Sequence, residues 1–363
     1  MRSYSLPLAL GLASATLAFD PLLGFNSFVE VENRTLDELH QAALKEGGVV
    51  TVWHGGDEVH QQDGLKEAFE ARFAGMTLNL TVDLSKYHDV NLDRQIATNN
   101  VYVDSIILQT LNDYPRWKSQ GALLPYKPLG WEHVFGDFKD PDGAFTALFI
   151  YSWSNVWNAD RVDAADAPKE FTDYLKPQFK DKLVLTYPND DDAVLFAFDL
   201  IMKQYGYAWF DALLQQNPRW VRGTATPATL VGSANSSRSA ASFTTTLGGS
   251  VAAPYNISYP EQGTFVSWPQ TGAIVRGAPH PESAKLLHSF MLSEQRQRTM
   301  GVWSVRTDIP GPQGLPKILD MPGTDPTLFS KWMADRAAVE RLRFFFEDRL
   351  GPADAISPLE DDI

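Results

Sequence analysis

Cysteine is absent from the 363-residue chain, which excludes disulfides, thiolate metal sites, a cysteine nucleophile and a cysteine-linked lipid anchor. Positive charge is scarce. Thirty-one Lys and Arg face 45 Asp and Glu, for a net charge of −14, so generic attraction to phosphate backbones or anionic lipid is missing and nucleic acid is not an expected partner. The chain also lacks a G-x-S-x-G elbow, an H-E-x-x-H pair and a G-x-x-x-x-G-K-[ST] loop, so catalysis has no visible carrier and no cofactor is expected. His54-Gly55-Gly56 looks like half of an esterase oxyanion motif, but no nucleophile motif accompanies it.

Apolar residues make up 44% of the chain, enough for a sizeable core, and at roughly 150 residues per domain the length implies two domains or one large one. Arg2, an apolar stretch from Leu6 to Leu17 and small residues before Asp20 form the pattern of a secretory signal peptide, residues 1–18, cleaved after Ala18. No second apolar run of membrane length follows, and the acidic Ser357–Ile363 end does not suit an anchor-addition tail. Sequons at Asn33, Asn79, Asn235 and Asn256 accompany the signal and predict a glycosylated eukaryotic product, secreted and not inserted in a membrane once the signal is removed.

Thr35-Leu36-Asp37-Glu38 is a capping box that opens a helix ended by Gly47. Val49 to Trp53 is a β-branched run; Leu65, Ala68, Phe69 and Phe73 recur at helical spacing; Met76 to Val82 alternates as a strand does. Val103 to Leu108 reads as a buried strand and Leu111 to Gln120 as a helix. A second strand-turn-helix series begins near residue 150, with a strand at Lys182 to Thr186 and a helix carrying Val194, Leu195, Phe198, Ile201 and Met202. Thr226-Pro227 predicts a helix start capped by Thr226, Ser242 to Thr246 a strand, Pro281 to Gln297 an amphipathic helix, and Asp325-Pro326 the start of a last helical region. Strands alternating with helices predict an α/β fold with a largely parallel sheet, whose ligands collect beyond the carboxyl ends of the strands.

Several segments resemble the extracellular solute-binding proteins of the ABC-type iron(III) and small-solute importer group. The fullest is Gly277-Ala-Pro-His-Pro-Glu-Ser-Ala-Lys-Leu-Leu-His-Ser-Phe-Met-Leu-Ser-Glu-Gln-Arg-Gln297; others are Leu36-Asp-Glu-Leu39 with Lys45-Glu-Gly-Gly48, Gly121-Ala-Leu-Leu-Pro-Tyr126, Asn155-Val-Trp-Asn158 and Tyr259-Pro-Glu-Gln-Gly-Thr264. The resemblance runs from about residue 35 to about 350. It implies the type II periplasmic-binding-protein-like fold, two α/β lobes joined by a hinge with a ligand cleft between them, here in a eukaryotic, fungal secreted version. The first crossing between lobes would fall at Phe149 to Asn155 and the return at Gly263 to Trp268. Lobe 1 would then take residues 35–149 and 263–322 (the latter including the return crossing), lobe 2 residues 150–262, and a helical region residues 323–363.

Four segments should meet in such a cleft: His54, Gly55, Gly56 and Asp57 after the first strand; Gln109 and Thr110 after another; Asp190, Asp191 and Asp192 at a helix start; and the strand end at Thr244, Thr245 and Thr246. Thr224, Trp153 and Trp268 complete the expected ligand-binding set. In iron-carrying relatives the strand end resembles a paired tyrosine, where this chain has Phe243 and threonines, so ferric iron is not the expected ligand. Hydroxyls, an amide and indole walls suit a small polar organic ligand. Two alternatives stay open: a divalent cation or amine held by Asp57, Glu58, His54 or His60 with the Asp190–Asp192 acids, and a hydrolase or transferase built on the same scaffold. The expected partner is the small-molecule ligand, with no identifiable importer.

Overall fold

The computed structural model describes residues 29–247 and 251–360, so the predicted signal segment lies outside the described residues. The first lobe begins with β1 (Glu30–Val31) and α1 (Leu36–Lys45), whose Thr35 cap and Glu38 side chain form the predicted capping box. It continues as β2 (Val49–Gly55), α2 (Asp63–Arg72), β3 (Thr77–Asp83), α3 (Ser85–Ala97), β4 (Ser105–Leu108), α4 (Asp113–Ser119), β5 (Tyr126–Lys127) and β6 (Thr146–Ser152). The chain leaves this lobe at Trp153.

The second lobe holds β7 (Ser154–Asn158), β8 (Val184–Thr186), α5 (Asp192–Tyr205), α6 (Tyr207–Gln215), β9 (Arg219–Val221), α7 (Thr226–Gly232), β10 (Ala241–Thr245) and β11 (Tyr255–Ser258). The return strand β12 (Ser267–Ile274) re-enters the first sheet and is followed by α8 (Pro281–Met291) and α9 (Glu294–Thr299). The last helices, α10 (Leu328–Ala334) and α11 (Arg336–Leu350), pack on the second lobe, where Phe346 of α11 meets Phe198 and Phe210 at ring separations of 5.4 and 5.1 Å.

The main sheet has the order β3-β2-β4-β12-β6. Its β2, β3 and β4 are parallel, whereas β12 runs antiparallel to both β4 and β6. The sheet is therefore mixed where a largely parallel one was predicted, because the returning chain enters from the other lobe and must run against its neighbours. The second lobe carries the antiparallel sheet β10-β7-β11 and the parallel pair β8-β9.

Other boundaries also shift. The predicted helix over 281–297 is two helices, with Ser293 capping α9 by accepting from the Arg296 amide. Thr226 is the first residue of α7 and Ala225 its cap. β12, buried along its whole length, carries Pro269 in its interior, a residue that argues against a central strand when only the sequence is read; a register shift at Gln270/Thr271 accompanies it.

Two large apolar clusters result: one lies within the first lobe, with Leu39, Val50, Phe69 and Leu287, and the other runs from Ile106 and Trp117 of the first lobe through Trp153 and Trp268 to Phe198 and Phe210 of the second. In the first lobe a fully buried carboxylate, Asp104, ties sheet to helix: Oδ2 accepts from the Thr51 amide at 2.7 Å and Oδ1 from the His280 amide at 2.7 Å. Asp104→Ala would orphan both donors, and the expected loss is about 3 kcal/mol of unfolding free energy, measurable by urea titration; a loss below about 0.5 kcal/mol would show the clamp to be dispensable.

Candidate ligand-binding site

The ends of β2, β3, β4, β8 and β10 converge on the junction between the lobes, together with the two crossing strands β6 and β12. A cavity of about 90 Å³ lies there, well above the roughly 10–15 Å³ that a single water needs. Gly55 and Gly56 form its floor at the end of β2. A Cβ on Gly55 would collide with Ser85 Oγ and one on Gly56 with Gln61 Oε1, so a larger residue at either position would push these cavity side chains aside.

Asp57 follows and is 3% exposed. Its Oδ2 accepts from the Thr224 amide, the Thr224 hydroxyl at 3.0 Å and the Ala225 amide at 3.1 Å, joining the first lobe to the second. Its Oδ1 has no partner. Burial pushes the carboxyl up, and the three donors pull against that shift.

A second link between the lobes is ionic. Lys86 at the start of α3 reaches Asp190 Oδ1 at 2.8 Å, and Arg222 holds Asp190 Oδ2 at 3.1 Å. These cations keep the Asp190 carboxyl below its ordinary value despite its burial. Asp191 instead caps α5, its Oδ1 accepting from the Ala193 and Val194 amides at 2.8 and 2.9 Å. Burial, with the neighbouring Asp192, Asp57 and Asp190 charges, pushes its carboxyl up to about 7. Asp192 is paired with Arg343 and, at 3.3 Å, with Arg336, both from α11.

The aromatic wall comes from the crossing strands. Trp153 and Trp268 meet edge to face at 4.8 Å, and Tyr151 lies 5.6 Å from Trp268. Trp268 donates through Nε1 to Gln270 Oε1 at 3.0 Å, whereas the buried Trp153 Nε1 has no partner. Thr110 Oγ1, at the end of β4, is also buried and unpartnered.

Of the expected residues, Gly55, Gly56, Asp57, Gln109, Thr110, Trp153, Asp190, Asp191, Asp192, Thr224 and Trp268 line the cavity. His54, Thr244 and Thr245 do not. His54 alternates to the opposite side of β2, stacks on Phe149 at 6.0 Å and is wholly buried, which lowers its imidazole to about 4 and keeps it neutral. Thr244 Oγ1 accepts from the Thr186 amide at 2.9 Å, and Thr245 Oγ1 donates to Thr224 O at 2.5 Å; both side chains fasten β10 to its neighbours, and Thr246 lines the cavity instead.

The sequence reading missed Gln61, Ser85, Lys86, Tyr151, Gln270 and Arg343, which also form the wall. Ser85 and Lys86 follow β3 and obey the same strand-end rule as the residues that were found. Tyr151 and Gln270 lie two residues from Trp153 and Trp268, the spacing that keeps strand side chains on one face. Arg343 carries no local signal.

Of the candidate cation ligands, the four aspartates line the cavity, whereas His54 is buried away from it and His60 is on the surface, its Nδ1 2.9 Å from Asp63. Among the described residues no group of three or more His, Asp or Glu is placed to hold a metal ion.

Two lobes, two crossing strands and a polar cavity at their junction define a hinged binding protein of the type II periplasmic-binding-protein-like fold. Residues 107–301 match the family of bacterial extracellular solute-binding proteins, and the chain belongs to that family. Solved structures share the fold. The substrate binding protein of the ABC transporter from Agrobacterium tumefaciens is 11% identical, with 84% of this chain and 95% of that one covered and a TM-score of 0.68. AfuA from Actinobacillus pleuropneumoniae, with exogenous fructose-6-phosphate bound, is 17% identical (84% and 99% covered, TM-score 0.63). Iron-bound HitA from Pseudomonas aeruginosa is 15% identical (82% and 99% covered, TM-score 0.56). No curated protein matches in sequence.

Asp191 sets a pH dependence. The folded carboxyl holds its proton up to about pH 7 and an ordinary one only to 3.8, so folding takes up a proton between those values and Asp191 costs stability progressively as pH rises through that interval. Asp191→Asn keeps a good cap and removes the titration. The expected outcome is a melting-temperature advantage of the variant over the parent that grows from about pH 4 to about pH 7 and is flat above it; an advantage that does not change with pH would refute the assignment.

Proposed function

We propose that this protein is a secreted solute-binding protein that captures a small polar solute, other than ferric iron, in the cleft between its lobes. The supporting observation is that four residues lining one cavity carry a buried polar atom with no hydrogen-bond partner within the protein: Asp57 Oδ1, Thr110 Oγ1, Trp153 Nε1 and Arg343 Nε. Buried polar groups are nearly always hydrogen-bonded, and a solute able to donate to the carboxylate and accept from the indole would satisfy them. Membership of a family of binding proteins supports capture over turnover, and no helix among the described residues is long and apolar enough to cross a membrane.

Against iron stands the lining itself. Tyr151 is the one phenol among the cavity residues, and burial raises its hydroxyl, opposite to what a phenolate ligand requires. The lobe limits expected from the sequence, residues 35–149 with 263–322 and residues 150–262, belong to this proposal, as does secretion with glycosylation. Asn33, Asn79, Asn235 and Asn256 are all exposed. Asn79 sits on β3, an edge strand, where an oligosaccharide would also shield unpaired backbone from other chains.

Two outcomes are expected. In calorimetry and thermal-shift screening of uncharged, cationic and anionic metabolites, a ligand binds with one-to-one stoichiometry and is recovered unchanged, while ferric citrate produces no visible phenolate-to-iron band; a catalogue with no binder, or a coloured ferric complex, would refute the reading. Protein secreted from a eukaryotic host loses mass in steps on treatment with an N-glycosidase, and Asn79→Gln removes one step; a single unshifted mass would remove the glycoprotein part.

A further inference from the structure

The cavity wall carries six charged side chains: Asp57, Asp190, Asp191, Asp192, Lys86 and Arg343. Both cations are already committed, Lys86 to Asp190 and Arg343 to Asp192, each with a second arginine behind the carboxylate, Arg222 and Arg336. Asp57 and Asp191 have no cation within ion-pair distance among the described residues. Their hydrogen bonds come from backbone amides and one hydroxyl. Asp57, almost fully buried, lines the cavity and keeps Oδ1 unpartnered.

The same cavity is lined by Trp153, Trp268 and Tyr151, whose rings pack on one another. We infer that the solute is a small organic monocation, an ammonium group on a compact frame, with its charge between Asp57 and the indole wall. The inference rests on the solute-binding reading and narrows it.

Each competing ligand class meets a physical objection. Above pH 7 an anion would face the Asp57 and Asp191 carboxyl groups, while both lining cations are already ion-paired. A neutral solute would leave Asp57, where it is ionised, buried without a counter-charge, the costly arrangement for an ion removed from water. A divalent metal ion needs about six oxygen ligands, and most of the oxygens here are already hydrogen-bonded or ion-paired within the protein. An ammonium group satisfies the carboxylate and also gains from the quadrupole of a tryptophan face, and it can carry a hydroxyl towards Thr110 or Gln109.

The test uses the full chain at pH 8, with choline, ethanolamine and tetramethylammonium as cationic probes. The uncharged choline isostere 3,3-dimethylbutan-1-ol, glucose and fructose 6-phosphate serve as controls, and all are measured by calorimetry. At least one ammonium probe is expected to bind about 100-fold more tightly than the isostere. Asp57→Asn, which keeps an oxygen for the Thr224 and Ala225 amides, is expected to weaken that probe by about 30-fold, and Trp153→Leu by about 10-fold, with the unliganded melting temperature of each variant checking the fold.

Equal binding of probe and isostere would overturn the inference, as would binding of glucose or fructose 6-phosphate without any ammonium probe, and the solute-binding reading would survive either result. Ammonium binding that Asp57→Asn leaves unchanged overturns the placement of the charge. Failure of every probe and control, together with the wider metabolite screen, would remove the solute-binding reading itself.

Discussion

The contact on which the cleft depends is the Asp57 carboxylate of the first lobe bonded to the Thr224 and Ala225 amides of the second. One oxygen joins the two halves and the other has no hydrogen-bond partner. Such a group is held in place by backbone donors that cannot turn away, so its charge has a fixed position without a long side chain to order. The Lys86–Asp190 ion pair adds a second link across the same gap, partly exposed and so weaker than its distance alone would imply. Opening the lobes must break both. Under the proposed function, a ligand that engages the unpartnered Asp57 oxygen would act on the residue that already joins the halves and so would couple capture to closure.

The glycines, the crossing strands and the last helices all serve that junction. Gly55 and Gly56 let the β2 end approach Ser85 and Gln61. Trp153 and Trp268 sit where the chain passes between lobes or just after its return, so the aromatic wall is also part of the hinge region. Helix α11 is anchored by Phe346 among Phe198 and Phe210 and delivers Arg343 to Asp192. The same helix brings Arg336 to Asp192, so α11 supplies both counter-charges of that carboxylate.

Much of the fold was legible because local signals agreed with the tertiary outcome. The Thr35–Glu38 capping box, the β-branched run after Gly48 and the strand-helix alternation identified α1, β2, α2 and β3. The rule that ligands gather at strand ends found Gly55 to Asp57, Gln109, Thr110 and the Asp190 to Asp192 turn. It failed where side-chain direction mattered. His54 and Thr245 lie one residue from cavity-lining positions, and in a strand one residue is a change of face; the register shift between Ser242 and Thr245 further obscured which threonines point inward. Strand β12 was hidden by Pro269, which burial on all sides and the adjacent register shift accommodate.

The amino-acid sequence by itself determined the absence of thiol chemistry, the order of strands and helices, the family and the segments that supply the cleft, because each of these is encoded in residue type or short-range spacing. Only the tertiary structure decided what the three consecutive aspartates do. Asp190 is neutralised from Lys86 and Arg222, 104 and 32 positions away, and Asp192 from Arg343, 151 positions away, while Asp191 receives only the amides of its own helix. A carboxylate's charge state depends on what surrounds it in space, and in this chain those surroundings are assembled from segments that sequence proximity does not connect.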